Sequence, residues 1–143
     1  MKISTIQSVK IIDYKIHSGT NGSLFPVDLE STLPFEAKRA FFVYNVSDNK
    51  SKRGCHAHKV TEQVLFCLSG EVKVTCKDSN ESKTFVLNSP NKGLYIPNMI
   101  WDEITYKDES SILFVFSSTK YDRTDYIEDW LEFNKIIEVQ NEH

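Results

Sequence analysis

Short β-type segments separated by turn clusters recur along most of this chain. Residues 71–77 alternate polar and apolar side chains, as a half-buried strand does. Residues 40–46 are rich in aromatic and β-branched side chains, which favour strands. Strands of this length, separated by turn clusters at this spacing, are typical of a two-sheet sandwich or a jelly roll. We therefore predict an all-β fold.

The predicted strands share this alternating or aromatic-rich composition. They lie at residues 2–6, 9–14, 24–29, 40–46, 63–68, 71–77, 84–87, 94–97, 101–106 and 111–116. Pro26 makes the third of them an edge strand or an irregular one, because proline cannot donate to a sheet ladder. Turns are predicted at residues 19–23, at residues 47–51 and at the Ser69-Gly70 pair, which are rich in turn-forming side chains.

Only the C-terminal part of the chain has a helical period. Thr124 or Asp125 can cap a helix, and Glu128 stands where the acidic residue of a capping box belongs. The apolar residues that follow helical spacing are Tyr126, Ile127, Trp130, Leu131, Phe133 and Ile137. We predict one amphipathic helix over residues 125–138, packed on the β body.

Length and charge limit the remaining possibilities. A chain of 143 residues without a visible linker is expected to form one domain, residues 1–143. The net charge is -3 and the basic residues are scattered, which argues against a nucleic-acid partner. The sequence shows neither a secretion signal nor a membrane span, and its three cysteines lack a CxxC spacing. We expect reduced thiols in a cytoplasmic protein that does not bind membranes.

The chemistry is concentrated in the run Arg53-Gly54-Cys55-His56-Ala57-His58-Lys59. Residues two apart on a strand point to the same face, so His56 and His58 are expected side by side, with Cys55 turned away. Gly54 would let the backbone bend or approach another group. Two imidazoles flanked by cations suit either proton transfer on an anionic substrate or metal binding.

A longer motif around this run resembles the cupin signature. It comprises His56, His58 and Glu62 at cupin spacing, Gly70 after the next strand, and Pro97 further on. The resemblance implies a cupin jelly roll, that is, a double-stranded β-helix. Many cupins bind a metal through two histidines and a glutamate of this first motif and a histidine of a second motif.

The second cupin motif of this chain departs from the metal-binding pattern. Asp102 stands where the last histidine would fall, and Met99 replaces the expected glycine. Glu62 is also one residue further from Gly70 than in that pattern. The two histidines, Glu62 and Asp102 could still form an oxygen-rich site, but the departures weaken the metal interpretation.

The sequence is more similar to the cofactor-independent nucleotide-sugar 3,4-ketoisomerases, small cupins that act on dTDP-4-keto-6-deoxyglucose. The similarity covers nearly the whole chain from Gly22 onward. Its segments are Leu33-Pro34-Phe35, Lys38-Arg39, the strand ending near Tyr44, Arg53 to Lys59, Gln63-Val64-Leu65, Ser69-Gly70, Tyr95-Ile96-Pro97, Trp101 and residues 121–133. The resemblance implies a homodimer with exchanged N-terminal strands, no cofactor, no metal, and two histidines that transfer protons.

The expected reaction moves a carbonyl group from carbon 4 to carbon 3 of the sugar. The carbonyl acidifies the neighbouring C–H bond, so a base can remove that proton, an enediol forms, and an acid protonates the other carbon. An imidazole can act as both base and acid near neutral pH. We expect His56 to be the main base and His58 to be its partner at the sugar oxygens.

The substrate's diphosphate requires a cation, and Arg53 is the best candidate because its planar guanidinium matches phosphate oxygens. Two further cations are weaker candidates, two tyrosines can donate hydrogen bonds, and a tryptophan can stack on the base or the sugar. These additional candidates, with one glutamine that the resemblance includes, are Arg39, Tyr44, Lys59, Gln63, Tyr95 and Trp101.

Other functions stay open at this point. A dTDP-sugar 3,5-epimerase, a metal-dependent cupin dioxygenase and a non-catalytic sugar-binding cupin are the alternatives, and the two histidines could also be structural. The preferred function, through the resemblance, is a step of deoxysugar biosynthesis for a surface polysaccharide, such as lipopolysaccharide or an S-layer glycan. Neither the product configuration at carbon 4 nor the nucleotide follows from the residues.

Overall fold

The computed structural model describes residues 1–47 and 50–142. Its strands are β1 (Lys10–Asp13), β2 (His17–Gly19), β3 (Gly22–Leu24), β4 (Arg39–Val43), β5 (Arg53–His58), β6 (Gln63–Ser69), β7 (Val72–Lys77), β8 (Ser82–Leu87), β9 (Lys92–Ile96), β10 (Trp101–Tyr106), β11 (Ile112–Ser117) and β12 (Tyr126–Ile127). One α-helix, α1 (Trp130–Asn141), follows. The turn predicted at residues 47–51 includes Asp48 and Asn49, which lie outside the described residues.

Two five-stranded antiparallel sheets form the body of the domain. The first sheet has the order β1-β9-β6-β11-β4, and the second has the order β12-β5-β10-β7-β8. Strands β2 and β3 form a separate hairpin around the predicted turn at residues 19–23. The predicted all-β cupin jelly roll with one C-terminal helix is confirmed by this architecture.

The core lies between the two sheets. Strand β7 shows how the period of two builds it, because Val72, Val74 and Cys76 are fully buried while Lys73 is exposed. The two sheets contribute apolar side chains that include Leu65, Leu94, Ile104, Leu113 and Val115. Each fully buried aliphatic side chain contributes roughly 1.5–3 kcal/mol to folding. This core fixes the strands that carry the site.

A second apolar layer covers the outer face of the first sheet. The ring of Tyr14 packs 5.3 Å from that of Phe66, and residues 25–37 extend this layer. The strand predicted at 24–29 is wrong, because β3 ends at Leu24 and the following residues cover the sheet instead of pairing. The strand predicted at 2–6 is also wrong, since Ile6–Ser8 forms a 3₁₀ turn whose first N–H donates to Asp78 at 2.8 Å.

The C-terminal helix begins later than the sequence predicts. Asp129, not Thr124 or Asp125, is its N-cap, and its carboxylate accepts from the Leu131 N–H at 2.8 Å. The preceding residues form β12, in which Tyr126 pairs with His58 of β5. Pairing with a neighbouring strand satisfies these backbone groups and overrides the helical period. The helix then buries Phe133 against the outer face of the second sheet.

None of the helices in the described part of the chain is long and apolar enough to cross a membrane.

Candidate active site

A cavity opens between the two sheets on the side where β5 and β10 meet. The space inside it, together with the open solvent at its mouth, amounts to about 590 Å³. The polar side chains in its wall are those of Arg39, Arg53, His56, Gln63, Asp102, Tyr106 and Tyr126. Apolar side chains of β4, β6, β10 and β11 form the rest of the wall.

The backbone of β5 is distorted where it borders this cavity. Gly54 and Cys55 have φ values of 75° and 56°, and the register with β10 shifts between Asp102 and Glu103. A Cβ atom on Gly54 would lie 2.3 Å from the Asp102 Oδ1 atom, so only glycine fits. The prediction that Gly54 permits a close approach is confirmed, and the neighbour that approaches is Asp102.

His56 presents its ring to the cavity in a defined tautomer. Its Nδ1 atom lies 3.0 Å from the Gly54 carbonyl oxygen. A carbonyl oxygen can only accept a hydrogen bond, so Nδ1 carries a proton, and in the neutral ring Nε2 has the lone pair. This arrangement leaves a proton-accepting nitrogen for a group bound in the cavity.

Asp102 is the carboxyl group of this cavity. It is opposite His56 in the pairing of β10 with β5, and it is only 3% exposed. Burial raises the pKa of Asp102 to about 6, although the nearby His56 opposes that shift. The sequence placed Asp102 at the position of a missing metal ligand, and the structure places it beside the proposed base.

His58 lies behind the cavity wall rather than in it. The residue is 7% exposed, its Nδ1 atom is 3.1 Å from Asp125 Oδ2, and its Nε2 atom is buried without a hydrogen-bond partner. Burial, aided by His56, lowers the pKa of His58 to about 4 despite the opposing effect of Asp125. His58 is therefore neutral at physiological pH and donates from Nδ1.

Asp125 fixes the orientation of the His58 ring through the hydrogen bond to Nδ1. Its carboxylate also accepts from the backbone N–H groups of Val60 at 2.7 Å and Thr61 at 3.3 Å, and from the Thr61 hydroxyl. Burial alone would raise the pKa of Asp125, but these hydrogen bonds and His58 lower it below the usual value. The prediction that Asp125 begins or caps a helix is wrong, because its carboxylate is used by the loop after β5.

The two histidines are neighbours, as the strand period predicts, but they do not share one cavity. Their ring centroids are 4.9 Å apart in an edge-on arrangement, and the Tyr126 ring contacts both, at 5.1 and 4.5 Å. His56 lines the large cavity, whereas His58 lines a much smaller one. Arg39, Gln63 and Tyr126 border both cavities.

Three of the predicted substrate contacts lie at the large cavity, namely Arg39, Arg53 and Gln63. The Arg39 guanidinium stacks 4.7 Å from the Phe41 ring centroid and 5.3 Å from that of Tyr121, which restrains it. Arg53 is exposed at the start of β5. Two cations at one cavity suit an anionic ligand.

The other four predicted contacts lie away from the cavity. Tyr44 follows β4 and is 64% exposed. Tyr95 donates to Glu62 and packs on the outer layer of the first sheet. Trp101 packs against the aromatic side chains of α1, and Lys59 borders a surface depression beside that helix. Within one chain, these four side chains do not reach a ligand in the cavity.

The four candidate metal ligands do not converge either. The side chain of His58 is hydrogen-bonded to Asp125, and that of Glu62 to Tyr95. Among residues 1–47 and 50–142, no three histidine, cysteine, aspartate or glutamate side chains form a group that could hold a metal ion.

Sequence reasoning missed three residues of this site. Asp125 and Tyr126 were assigned to the helix, and their contacts with His58 of β5 have no local signature because the partners are at least 67 positions apart. Tyr106 ends β10, and its strand period predicts only that it is buried. For Asp102 a signal was available, since it stands where the cupin resemblance places a metal ligand, and such a position faces the cavity.

Comparison with known proteins identifies the family of this chain. Residues 7–138 match the family model described as FdtA, WxcM-like, C-terminal. The chain is 35% identical over 128 residues to TDP-4-oxo-6-deoxy-α-D-glucose-3,4-oxoisomerase of Aneurinibacillus thermoaerophilus, covering 90% of this chain and 91% of that one.

Two solved structures of QdtA, a sugar 3,4-ketoisomerase of Thermoanaerobacterium thermosaccharolyticum, resemble this one. A complex with TDP has a TM-score of 0.90 at 34% identity, covering 95% of this chain and 98% of the other. A histidine-to-asparagine mutant in complex with TDP-4-keto-6-deoxyglucose has a TM-score of 0.88 at 35% identity, covering 92% and 95%. This chain therefore belongs to the FdtA, WxcM-like C-terminal family and is an isomerase of the nucleotide-sugar 3,4-ketoisomerase type.

Proposed function

We propose that this protein converts TDP-4-keto-6-deoxyglucose to its 3-keto isomer without a cofactor, with His56 as the base. The single observation that carries the proposal is the free Nε2 atom of His56 in a cavity bordered by two arginines. The names of the related enzymes supply the substrate, since one is called an oxoisomerase of this sugar and another was crystallised with it.

His56 would act on the carbon skeleton of the sugar. Its neutral ring removes the proton from carbon 3, and the resulting imidazolium returns a proton to carbon 4. The same nitrogen serves both transfers because the hydrogen bond to the Gly54 carbonyl keeps the other nitrogen protonated throughout. General acid–base catalysis of this kind typically contributes about 10²–10⁴-fold in rate.

Arg53 and Arg39 would bind the diphosphate. Arg53 is exposed at the mouth, where a charged group can stay partly solvated, and its guanidinium can contact two phosphate oxygens. Arg39 is held by two aromatic rings and borders the same cavity. The keto sugar would then occupy the inner end of the cavity, next to His56.

We retain His58 as the proposed partner of His56, but as a neutral ring that packs beside the base and not as a group that acts directly on the sugar oxygens. Its edge-on contact with His56 and its lack of charge keep the cavity free of a second imidazolium. Direct contact of His58 with the sugar oxygens would require the substrate to reach the smaller cavity, which His58 borders.

The experiment that tests the function is incubation of the protein with TDP-4-keto-6-deoxyglucose in heavy water, followed by NMR. We expect the carbonyl to appear at carbon 3 and deuterium to enter at carbon 4. His56→Asn should lower turnover by about 10³-fold or more while TDP binding is retained. His17→Asn, in the exposed hairpin, is the matched control and should leave turnover unchanged.

Unchanged turnover in His56→Asn would contradict the assignment of the base. Deuterium at carbon 5 without a shift of the carbonyl would instead indicate a 3,5-epimerase. Binding of the sugar without any deuterium incorporation in the wild type would indicate a sugar-binding cupin, and turnover that a chelator abolishes would indicate a metal enzyme.

We propose that the protein is a homodimer. Strand β4 is the edge of the first sheet and exposes Phe42 (59%) next to Tyr44, and the Phe42 ring stacks 4.6 Å from that of Phe114. An exposed aromatic edge strand favours pairing with another chain. In the structure, β1 pairs with β9 of the same chain, so strand exchange would replace that contact. Analytical ultracentrifugation should give a dimer mass, and Phe42→Glu should lower it; a wild-type monomer would contradict the proposal.

We also propose that the reaction takes place in the cytoplasm and supplies a deoxysugar for a surface polysaccharide, such as lipopolysaccharide or an S-layer glycan. A nucleotide-linked sugar is an activated donor, and glycan assembly consumes such donors. Deletion of the gene should remove one deoxysugar from the surface polysaccharide, as measured by sugar analysis. An unchanged sugar composition would contradict this role.

A further inference from the structure

The oxygens of the sugar need a proton carrier of their own. When the carbonyl moves from carbon 4 to carbon 3, the oxygen at carbon 4 gains a proton and the oxygen at carbon 3 loses one. His56 moves only the carbon-bound proton. A second group that gives and then takes a proton must therefore lie at the same cavity, within reach of both oxygens.

We propose that Asp102 is this second catalytic group and carries the proton between the two sugar oxygens. The inference rests on the proposed function and assigns to Asp102 the role that sequence reasoning gave to His58. Asp102 borders the large cavity together with His56, whereas His58 borders the smaller one.

The composition of the cavity wall singles out Asp102. The two arginines stay protonated, the Gln63 amide cannot transfer a proton, and burial raises the pKa of the Tyr106 phenol to about 12. Asp102 is the one carboxyl group among the described residues that border the cavity. The remaining group with a transferable proton is the Tyr126 phenol, which packs against both imidazole rings.

The backbone of β5 is built around this carboxyl group. The Asp102 Oδ1 atom occupies the space that a Cβ atom of Gly54 would fill, and the same glycine accepts the Nδ1 hydrogen bond of His56. The Gly54 carbonyl therefore orients His56, and the absence of a side chain on Gly54 leaves room for the Asp102 carboxyl group. Since Asp102 and His56 are also opposite each other in the pairing of β10 with β5, the two groups face one ligand from adjacent strands.

Asp102 and His56 together account for every proton that the reaction moves. Asp102 in its neutral form gives its proton to the oxygen at carbon 4 as His56 removes the proton from carbon 3, which yields the enediol, a carboxylate and an imidazolium. The carboxylate then takes the proton from the oxygen at carbon 3, and the imidazolium protonates carbon 4. Both side chains return to their starting states, and no oxidant, reductant or metal is consumed.

Burial makes this exchange accessible near neutral pH, because it raises the pKa of Asp102 to about 6. The ionisable groups that act on the carboxyl group are His56 from β5, which lowers its pKa, and Glu103 from its own strand, which raises it. On the other neighbouring strand, β7, Cys76 is opposite Asp102 and is buried as a neutral thiol.

The test compares Asp102→Asn with Glu103→Gln, which removes a carboxylate from the next residue of β10. Glu103 is matched in position but binds Lys52 and Lys77 instead of bordering the cavity. Two rates are measured in heavy water by NMR: isomerisation, and deuterium exchange at carbon 3 of unconverted substrate. TDP binding and thermal unfolding are measured in parallel.

We expect Asp102→Asn to slow isomerisation by about 10²–10⁴-fold. Deuterium exchange at carbon 3 should fall less, by about 10-fold, because His56 is intact and the amide can still donate a hydrogen bond to the oxygen at carbon 4. TDP binding should be unchanged. Glu103→Gln should change both rates much less than Asp102→Asn does, because the Glu103 carboxylate is paired with Lys52 and Lys77 and does not border the cavity.

Isomerisation within three-fold of the wild-type rate in a folded Asp102→Asn protein would overturn the proposal. The proposal would also fail if isomerisation slowed more than deuterium exchange at carbon 3 in His58→Gln or Tyr126→Phe, but not in Asp102→Asn. If Asp102→Asn does not fold, ¹³C NMR of wild-type protein labelled at aspartate carboxyls decides. One buried carboxyl resonance should then shift when the substrate binds, and the absence of such a shift would count against Asp102. An inactive wild type would instead refute the proposed function.

Discussion

The protein contains two histidine–carboxyl pairs, and they are built in opposite ways. His58 and Asp125 are joined by a hydrogen bond, and Asp125 accepts three more from the loop after β5. His56 and Asp102 border an open cavity, and the described residues show no hydrogen bond between their side chains. The first pair is satisfied within the protein, whereas the second is left available for a ligand.

The difference also appears in the two carboxyl pKa values. Hydrogen bonds hold the pKa of Asp125 below the usual value, so ionised Asp125 stabilises the fold. Burial raises the pKa of Asp102 to about 6, so ionised Asp102 destabilises it. A buried carboxyl group that costs stability, at a cavity, is characteristic of a functional site. The four predictions that follow test this contrast.

The largest effect is expected for Asp125→Ala. Removing this carboxylate leaves His58 and the Thr61 and Val60 donors buried without their acceptor, and should lower the free energy of unfolding by about 3–5 kcal/mol. Urea denaturation at pH 7 measures the change. Asp122→Ala, which removes the cap of the neighbouring 3₁₀ turn, is the control and should cost about 1 kcal/mol. Equal losses would show that Asp125 supports only the local turn.

Gly54→Ala should come next, because it disturbs the open pair. A side chain here adopts a left-handed conformation and its Cβ atom overlaps the Asp102 carboxyl group. We expect a loss of about 2–3 kcal/mol in stability and of about 10²-fold in turnover. Gly19→Ala is the control, since nothing lies within 4 Å of its Cβ position. Normal turnover in Gly54→Ala would mean that the contact with Asp102 does not matter for the reaction.

Asp102→Asn should stabilise the protein at alkaline pH. Because the pKa of Asp102 is 3.8 in the unfolded chain and about 6 in the folded one, the folded state binds more protons between these values. Stability therefore falls as pH rises through this window, and above pH 6 the full cost of about 2–3 kcal/mol is present. Asparagine avoids that cost, so the gain should be present at pH 8 and absent below pH 4.

Thermal unfolding at both pH values measures this gain. Glu103→Gln should behave in the opposite way, because hydrogen bonds with Lys77 and Lys52 lower the pKa of Glu103 and its charge is stabilising. A gain for Asp102→Asn that is equal at pH 4 and pH 8 would show that packing, and not ionisation, is its cause.

The smallest effect is expected for Thr61→Val. It removes one of the four hydrogen bonds to Asp125 and should cost about 1 kcal/mol. Thr75→Val removes an exposed hydroxyl that pairs with Thr84 and should be nearly neutral, which makes it the control. Urea denaturation of both variants measures the difference, and equal values would argue that Asp125 does not depend on Thr61.

Elements that depend on neighbouring residues were predicted correctly from the sequence, whereas contacts between segments distant in the chain were not. Strand β10 was predicted at residues 101–106 and lies there, because its alternation is a local property. The helix was predicted five residues too early, because Tyr126 and Ile127 pair with β5, a contact that the helical period cannot reveal. Similarly, Tyr95 and Trp101 belong to apolar layers that cover the outer faces of the sheets.

The sequence by itself determined the alternating strands, the glycine that permits the bend of β5, and the placement of His56 and His58 on one face, since each depends on residues near one another in the chain. The tertiary structure decided which imidazole meets the cavity. Asp125 orients His58 from 67 positions away, burial keeps that ring neutral, and Asp102 reaches His56 only because β10 pairs with β5. Burial and hydrogen bonding between distant segments set the protonation state of both pairs, and neither leaves a periodic signal in the sequence.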